Sequence, residues 1–135
     1  EIKACPGREA ETGEVVGRHL ERAWPRNLPP PLLSSFSPEA LEAARAVAPD
    51  IARGMLVHDR RGEWRELAER VGALSVHTFR AFVTPEFAAS VRDAGLELLA
   101  YTVNDAAEAR RLFGLGARAV FADAPGWIRH ALNVR

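Results

Sequence analysis

Short apolar runs alternate with amphipathic helical patterns along the whole chain. The apolar runs predict six strands, at Glu1–Ala4, Leu32–Phe36, Arg53–Val57, Ala73–Val76, Glu97–Val103 and Ala119–Phe121. Helical spacing predicts helices near Glu9–Ala23, Pro38–Val47, Trp64–Val71, Pro85–Ala94, Ala106–Phe113 and Pro125–Asn133. This alternation indicates βα units around a parallel sheet, and therefore an α/β fold.

Residues at the ends of the helical patterns support these boundaries. Ser37 and Thr84 each precede a proline and stand where the N-cap of a helix is expected. Gly72, Gly95 and Gly116 each follow a helical pattern, a position where glycine commonly ends a helix. Six βα units fit either an open doubly wound sheet or six-eighths of a TIM barrel, which needs about 250 residues when complete.

Charge and composition narrow the function without identifying it. Eighteen basic residues balance eighteen acidic ones, so no net field is available to attract nucleic acid. No apolar run approaches the roughly 18 residues of a membrane span. The single cysteine, Cys5, suits a reducing compartment, and the chain opens without the features of a signal peptide. We therefore expect a cytoplasmic protein. Because the sequence does not begin with Met, we do not expect Glu1 to be the natural start.

One lysine stands out among the basic residues. Seventeen of the eighteen are arginines and the exception is Lys3. Glu1 and Lys3 share one face of the first predicted strand, because residues two apart on a strand point the same way. A carboxylate beside an ammonium at the C-terminal end of a barrel strand suits a site that holds a divalent cation and a phosphate oxygen. An ordinary ion pair in the barrel lumen explains the same pattern.

A second polar cluster ends the most apolar predicted strand and precedes a helix. Tyr101 can stack on a ligand or donate its hydroxyl to one, and Asn104 can position one. Asp105 is expected to cap the following helix. Phe36 and His77, at the ends of two other predicted strands, are further candidates for contact with a substrate.

Four motifs in register resemble the glycerophosphodiester phosphodiesterase family. They are Glu1-Ile2-Lys3, Leu33-Ser34-Ser35-Phe36-Ser37-Pro38-Glu39-Ala40-Leu41, Ala100-Tyr101-Thr102-Val103-Asn104 and Phe121-Ala122-Asp123-Ala124-Pro125. The resemblance covers essentially all 135 residues. It corresponds to the third through eighth βα units of the family's TIM barrel and is strongest toward the bacterial cytoplasmic branch.

The resemblance implies an activity and roles for individual residues. The family hydrolyses small-molecule glycerophosphodiesters to glycerol 3-phosphate and an alcohol with a divalent cation, Mg²⁺ or Ca²⁺. By the same resemblance, Glu1 is a metal ligand, and Lys3 binds the phosphate and stabilises its developing charge. Tyr101 stands where the family often has Trp or Tyr at the substrate mouth. Ala122 departs from the family's usual threonine, which leaves Asp123 as a structural anchor.

The family's two acid–base histidines have no counterpart in this segment. They lie on the first two barrel strands, in His-Arg-Gly and His-Asp motifs, and His58-Asp59 matches the second only as a dipeptide in the wrong place. The remaining metal carboxylates are likewise expected upstream. We therefore expect residues 1–135 to form the C-terminal part of one phosphodiesterase domain. Alone it should be inactive, because a missing general acid or base costs about 10²–10⁴-fold in rate.

Two other functions fit the same pattern. A non-catalytic βα remnant or assembly module would complete its sheet with another chain, because an open barrel exposes strand edges and apolar surface. Another phosphate-handling barrel, such as an aldolase, would use Lys3 as a Schiff-base amine. An adjacent carboxylate argues against that use, since it keeps the amine protonated, and a reducible carbonyl adduct would identify the aldolase.

Overall fold

The computed structural model describes residues 1–58 and 62–133. The helices in this part are α1 (Glu9–Ala23), α2 (Pro38–Val47), α3 (Trp64–Val71), α4 (Pro85–Asp93), α5 (Ala106–Gly114) and α6 (Pro125–Ala131). The strands are β1 (Leu32–Ser35), β2 (Ala52–Val57), β3 (Ser75–Phe79), β4 (Glu97–Tyr101) and β5 (Ala119–Val120), and a 3₁₀ turn spans Arg80–Phe82. None of these helices is both long and apolar enough to cross a bilayer.

The chain divides into two compact units, Glu1–Ser75 and Val76–Arg135. In the first unit, β1 and β2 pair in parallel, with Leu32 opposite Ala52 and Ser35 opposite Met55. In the second, β4 and β5 pair in parallel, with Leu99 opposite Ala119. Each unit therefore has the parallel strands and intervening helices that the alternating sequence pattern predicts.

The predicted strand at Glu1–Ala4 is wrong, although part of this segment does lie beside β1. The Ile2 N–H donates to the Ser34 carbonyl at 2.7 Å, and the Ile2 carbonyl accepts a hydrogen bond from the Ser35 hydroxyl at 2.8 Å. The second of these bonds comes from a side chain, so the contact does not continue as a ladder of backbone bonds. The segment is therefore extended and anchored at Ile2 without forming a regular strand.

The strand β3 begins later than the predicted range Ala73–Val76. Leu74 is 55% exposed, whereas His77 and Thr78 are fully buried. The predicted start of the strand followed the apolar residues Ala73 and Leu74. The buried part of β3 instead includes polar residues, which hydrophobicity alone does not mark as strand. The 3₁₀ turn that follows β3 was not predicted.

Helices α1 and α2 of the first unit approach each other closely through small residues. A Cβ atom on Gly13 would lie 2.0 Å from the Ala40 carbonyl oxygen, and one on Gly17 would lie 2.8 Å from a methyl of Val47. Both glycines are buried, as are Ala40 and Ala44 on α2. The two glycines of α1 are thus explained by the short interhelical distance, since only a residue without Cβ allows this approach.

Arg53 joins the start of β2 to the loop before it and to the end of α3. Its guanidinium donates to the carbonyl oxygens of Ile51 at 2.6 Å, Val71 at 2.9 Å, Pro49 at 3.1 Å and Gly72 at 3.3 Å. Burial lowers the pKa of Arg53 from its ordinary value. A cation suits this position because the last carbonyls of α3 carry partial negative charge.

We predict that Arg53→Met lowers the free energy of unfolding by about 2 kcal/mol, because several buried carbonyls lose their donor. Arg53→Lys should recover only part of this loss, since a single ammonium cannot reproduce the planar fork of donors. Urea unfolding followed by circular dichroism measures both effects. Arg92→Met, at an exposed arginine, is the matched control. An equal loss of stability in that variant would show that the buried hydrogen bonds of Arg53 are not the cause.

The helices of the second unit begin where the sequence predicts, and their last residues differ from the predicted ones by one or two positions. The Thr84 hydroxyl accepts from the Phe87 N–H at 3.2 Å, and Asp105 accepts from the Glu108 N–H at 2.8 Å, so both predicted caps are confirmed. Gly95 and Gly116 have φ values of 72° and 99°, a left-handed conformation that favours glycine. These turns return the chain from α4 to β4 and from α5 to β5.

Candidate active site

The first candidate pair, Glu1 and Lys3, lies on one exposed face of the anchored N-terminal segment. Ile2, between them, is only 3% exposed and is held by its two hydrogen bonds to β1. Glu1 and Lys3 are both exposed, so the side chains alternate about Ile2 as the sequence predicts. The described residues include no ion pair between Glu1 and Lys3, which leaves both charges facing solvent.

Ser35 supports this segment in a way the sequence did not reveal. Its hydroxyl donates to the Ile2 carbonyl and accepts from the Ser37 N–H at 3.1 Å. Ser35 is 1% exposed, so it acts as a buried link between Ile2 and the β1–α2 turn rather than as a nucleophile. Phe36, the next residue, is 46% exposed, which makes its ring accessible in the first unit.

In the second unit, aromatic rings gather at the C-terminal ends of β3 and β4. The Phe79 ring lies 6.3 Å from the Tyr101 ring and 5.6 Å from the Phe82 ring, measured between centroids. Tyr101 is half-buried, and its peptide bond to Thr102 is cis. Parallel sheets place their sites at this end of the strands, so Tyr101 lies where a substrate contact is expected.

His77 lies inside β3 and is fully buried, not at the strand end where the sequence placed it. Its ring packs on the Phe121 ring with centroids 5.2 Å apart. Burial lowers the pKa of His77 to about 4, so the imidazole is neutral near pH 7. A buried neutral ring can shape the wall of a site but does not reach solvent.

The pKa of His77 predicts how stability depends on pH. The folded pKa, about 4, is below the ordinary value of 6.5, so the unfolded chain takes up a proton first as pH falls. Full stability is present above pH 6.5, and about 2 kcal/mol should be lost by pH 5. Urea unfolding between pH 7.5 and 5 measures this loss. His77→Gln should flatten the pH dependence of the free energy of unfolding, whereas His130→Gln, at an exposed histidine, should not. An unchanged slope in His77→Gln would contradict the assignment of this pH dependence to His77.

Asn104 and Asp123 pair across the turns that follow β4 and β5. The Asn104 amide nitrogen donates to an Asp123 carboxylate oxygen at 2.6 Å, and the Asp123 N–H donates to the Asn104 amide oxygen at 2.9 Å. Asp123 therefore links the turn after β5 to the turn after β4, a contact that fits the anchoring role expected of it. Asp105 serves as the helix cap, so Asn104 and Asp105 have separate roles despite being adjacent.

The described residues do not complete a metal centre. They include no group of three or more His, Cys, Asp or Glu side chains arranged to hold an ion. His58 is exposed, and Asp59, the other half of the His58-Asp59 dipeptide, lies outside the described residues. Glu1 is thus the candidate ligand in this part of the chain, and one carboxylate holds a hard cation only weakly.

We compared the sequence with the profiles of known protein families. The sequence profile of the Glycerophosphoryl diester phosphodiesterase family matches residues 6–127. The chain belongs to this family. The phosphodiesterase match includes the region of β1, the cluster after β4 and the segment after β5, three of the four motifs on which the resemblance was based.

Solved structures of the phosphodiesterase family confirm the fold. One of them is a phosphodiesterase from Oleispira antarctica, solved in complex with the product sn-glycerol-3-phosphate. It is 36% identical to this chain with a TM-score of 0.89, and the match covers 97% of this chain and 53% of the Oleispira chain. A Silicibacter pomeroyi protein described as a glycerophosphoryl diester phosphodiesterase is 25% identical, with a TM-score of 0.78 over 98% of this chain and 47% of its own. The predicted α/β fold of the TIM-barrel type is thereby confirmed.

A more distant phosphodiesterase structure agrees with this fold. The glycerophosphodiester phosphodiesterase of Thermotoga maritima is 20% identical, with a TM-score of 0.67 over 93% of this chain and 54% of its own. The chain thus spans about half the length of the solved structures that it matches. A search of curated proteins found no match.

Proposed function

We propose that the protein containing this chain hydrolyses glycerophosphodiesters to glycerol 3-phosphate and an alcohol. The family match supports this reaction class, and the similar Oleispira structure holds sn-glycerol-3-phosphate. The observation that carries the proposal is the exposed pair Glu1 and Lys3 on either side of the buried, anchored Ile2. Such an arrangement presents one negative and one positive group side by side, as a phosphate site with an adjacent cation requires.

Lys3 is assigned to the phosphate. Its ammonium would contact a nonbridging phosphate oxygen and would stabilise the negative charge that develops there during displacement of the alcohol. A preorganised cation acts more strongly on the transition state than on the substrate, because the charge it faces is still growing. The two hydrogen bonds on Ile2 supply this preorganisation by fixing the backbone on which Lys3 stands.

Glu1 is assigned to a divalent cation, Mg²⁺ or Ca²⁺, as one ligand among several. The described residues do not fit such an ion by themselves, since they lack a cluster of three donors and these ions take six or more oxygen ligands. The remaining ligands, and the two histidines that would donate and accept protons, are proposed to come from outside this segment. The segment alone is therefore proposed to be inactive.

The alcohol side of the substrate is assigned to aromatic residues. In the second unit, Tyr101 offers a half-buried ring beside Phe79, and His77 contributes through Phe121, on which it packs. In the first unit, Phe36 offers an exposed ring. Flat apolar surfaces accept many alcohols. We propose a cytoplasmic enzyme acting on the small diesters released in lipid metabolism.

The cation assignment is tested by replacing Glu1. Glu1→Ala in the full-length protein should raise the Mg²⁺ or Ca²⁺ concentration for half-maximal hydrolysis by at least about tenfold, because a ligand is lost. Titration of glycerol 3-phosphate release against the cation measures this. Glu14→Ala, on an exposed helix carboxylate paired with Arg18, is the control. Identical titration curves for Glu1→Ala and wild type would show that Glu1 is not a ligand of the cation.

A further inference from the structure

Four hydrogen bonds join the end of β4 and the segment after it to the segment after β5. The Phe121 N–H donates to the Ala100 carbonyl at 2.9 Å, and the Val103 N–H donates to the Phe121 carbonyl at 2.8 Å. The other two are the reciprocal bonds between Asn104 and Asp123, at 2.6 and 2.9 Å. The strand pairing therefore continues past the last paired residues, and side chains complete it.

These bonds fix the backbone on both sides of Tyr101. Ala100 is held immediately before it, and Val103 and Asn104 are held two and three residues after it. Phe121, which makes the central pair of bonds, also packs on His77. The positions of Tyr101, whose ring lies beside Phe79, and of Phe121 are thus set by how β4 and β5 are joined beyond their ends.

The Asn104–Asp123 pair is suited to positioning rather than to stability. Both residues are exposed, and exposed hydrogen bonds contribute little to the free energy of unfolding. The pair is also directional, because an amide donor faces a carboxylate at 2.6 Å. An aspartate in place of Asn104 would bring two carboxylates together with almost no change in shape.

We propose that Asn104 and Asp123 are positioning residues, which hold Tyr101 and Phe121 in the orientation that the substrate's alcohol requires. This assignment rests on the proposed hydrolysis of glycerophosphodiesters. Neither residue touches the reacting atoms in this account, and both act through the aromatic rings beside them. Small displacements of a substrate-contacting group can cost up to about 10²-fold in rate, so the effect on catalysis should exceed the effect on stability.

Exchange of the two residues tests the proposal. In the full-length protein, Asn104→Asp should lower kcat/KM for glycerophosphodiester hydrolysis by about 10-fold or more, because carboxylates repel at this distance. Asp123→Asn, which keeps an acceptor for the Asn104 amide, should have a smaller effect. The double variant, Asn104→Asp with Asp123→Asn, restores one donor and one acceptor with reversed direction and should recover most of the activity. Asn27→Asp, the same change at an exposed loop residue, is the control.

A second measurement reports the orientation of Tyr101 without using activity. The chain contains one tyrosine, so 3-fluorotyrosine places a ¹⁹F nucleus at this position, and loss of the line in Tyr101→Phe assigns it. The Tyr101 line should shift or broaden in Asn104→Asp and return in the double variant. An unchanged line in Asn104→Asp would overturn the positioning role, whether or not the protein is active.

The two measurements separate this proposal from the proposed function. A Tyr101 line that moves and returns, in a protein that hydrolyses no glycerophosphodiester, would support the positioning of Tyr101 and refute the reaction. Hydrolysis by the wild type with the same kcat/KM in Asn104→Asp would support the reaction and overturn the positioning role. Loss of activity that the double variant does not rescue would also overturn it.

Discussion

Lys3→Ala in the full-length protein is expected to lower kcat for glycerophosphodiester hydrolysis by about 10²–10³-fold, the usual effect of removing one preorganised group from a developing charge. The change in KM should be smaller, since Lys3 is assigned mainly to the transition state. The fold should survive, because Lys3 is exposed and the anchoring bonds belong to the backbone of Ile2. Steady-state kinetics of glycerol 3-phosphate release measures both parameters.

Two comparisons sharpen the Lys3 prediction. Lys3→Arg should keep part of the activity, since the charge is retained while the geometry of the donors differs. Added propylamine should partly restore Lys3→Ala and should leave wild type unaffected, because the missing group is an ammonium. Arg18→Ala, on the exposed face of α1, is the matched control for loss of a positive charge. A wild-type kcat in Lys3→Ala would show that Lys3 does not stabilise the transition state.

Gly13→Ala is expected to lower the free energy of unfolding by about 3 kcal/mol, at the upper end of the range for overpacked sites. The new methyl would lie 2.0 Å from the Ala40 carbonyl oxygen and 2.7 Å from its carbon. These are backbone atoms, so α1 would have to move away from α2. Alanine's better helix propensity, worth about 1 kcal/mol over glycine, offsets only part of this cost.

Two other helical glycines, Gly17 and Gly114, provide graded controls for Gly13→Ala. Gly17→Ala should cost less, because the nearest atom is a side-chain methyl of Val47 at 2.8 Å and that side chain can adjust. Gly114→Ala, where no atom lies within 4 Å of the added Cβ, should be neutral or slightly stabilising. Urea unfolding of the three variants tests this order. A Gly13→Ala protein as stable as Gly114→Ala would show that α1 and α2 are not closely packed.

Local signals in the sequence predicted most of the helices, since helix ends are set by neighbouring residues. Ser37, Thr84 and Gly72 mark ends that the structure confirms, and α1, α2 and α3 have the predicted bounds. Strands were harder because their bounds depend on partners distant in sequence. The range Ala73–Val76 followed the apolar residues, whereas β3 extends to Phe79 through His77 and Thr78, which tertiary packing buries.

The candidate site was predictable as motifs but not as geometry. That Glu1 and Lys3 share a face follows from alternation about Ile2, which the sequence shows, whereas the exposure of that face does not. The hydroxyl of Ser35 on the Ile2 carbonyl joins residues 33 positions apart, and the Asn104–Asp123 pair spans 19. No local pattern encodes such partners, and Arg53 likewise looks like an ordinary surface arginine until its four carbonyl acceptors are known.

The most direct test of the proposed reaction is ³¹P NMR of glycerophosphocholine incubated with the full-length protein and Mg²⁺ or Ca²⁺. We expect the diester signal to be replaced by that of sn-glycerol 3-phosphate, with choline released in equal amount, because the family cleaves the bond to the alcohol. Lys3→Ala should slow this conversion under the same conditions. Release of phosphocholine instead, or no conversion of any glycerophosphodiester by the folded wild-type protein, would contradict the proposed reaction.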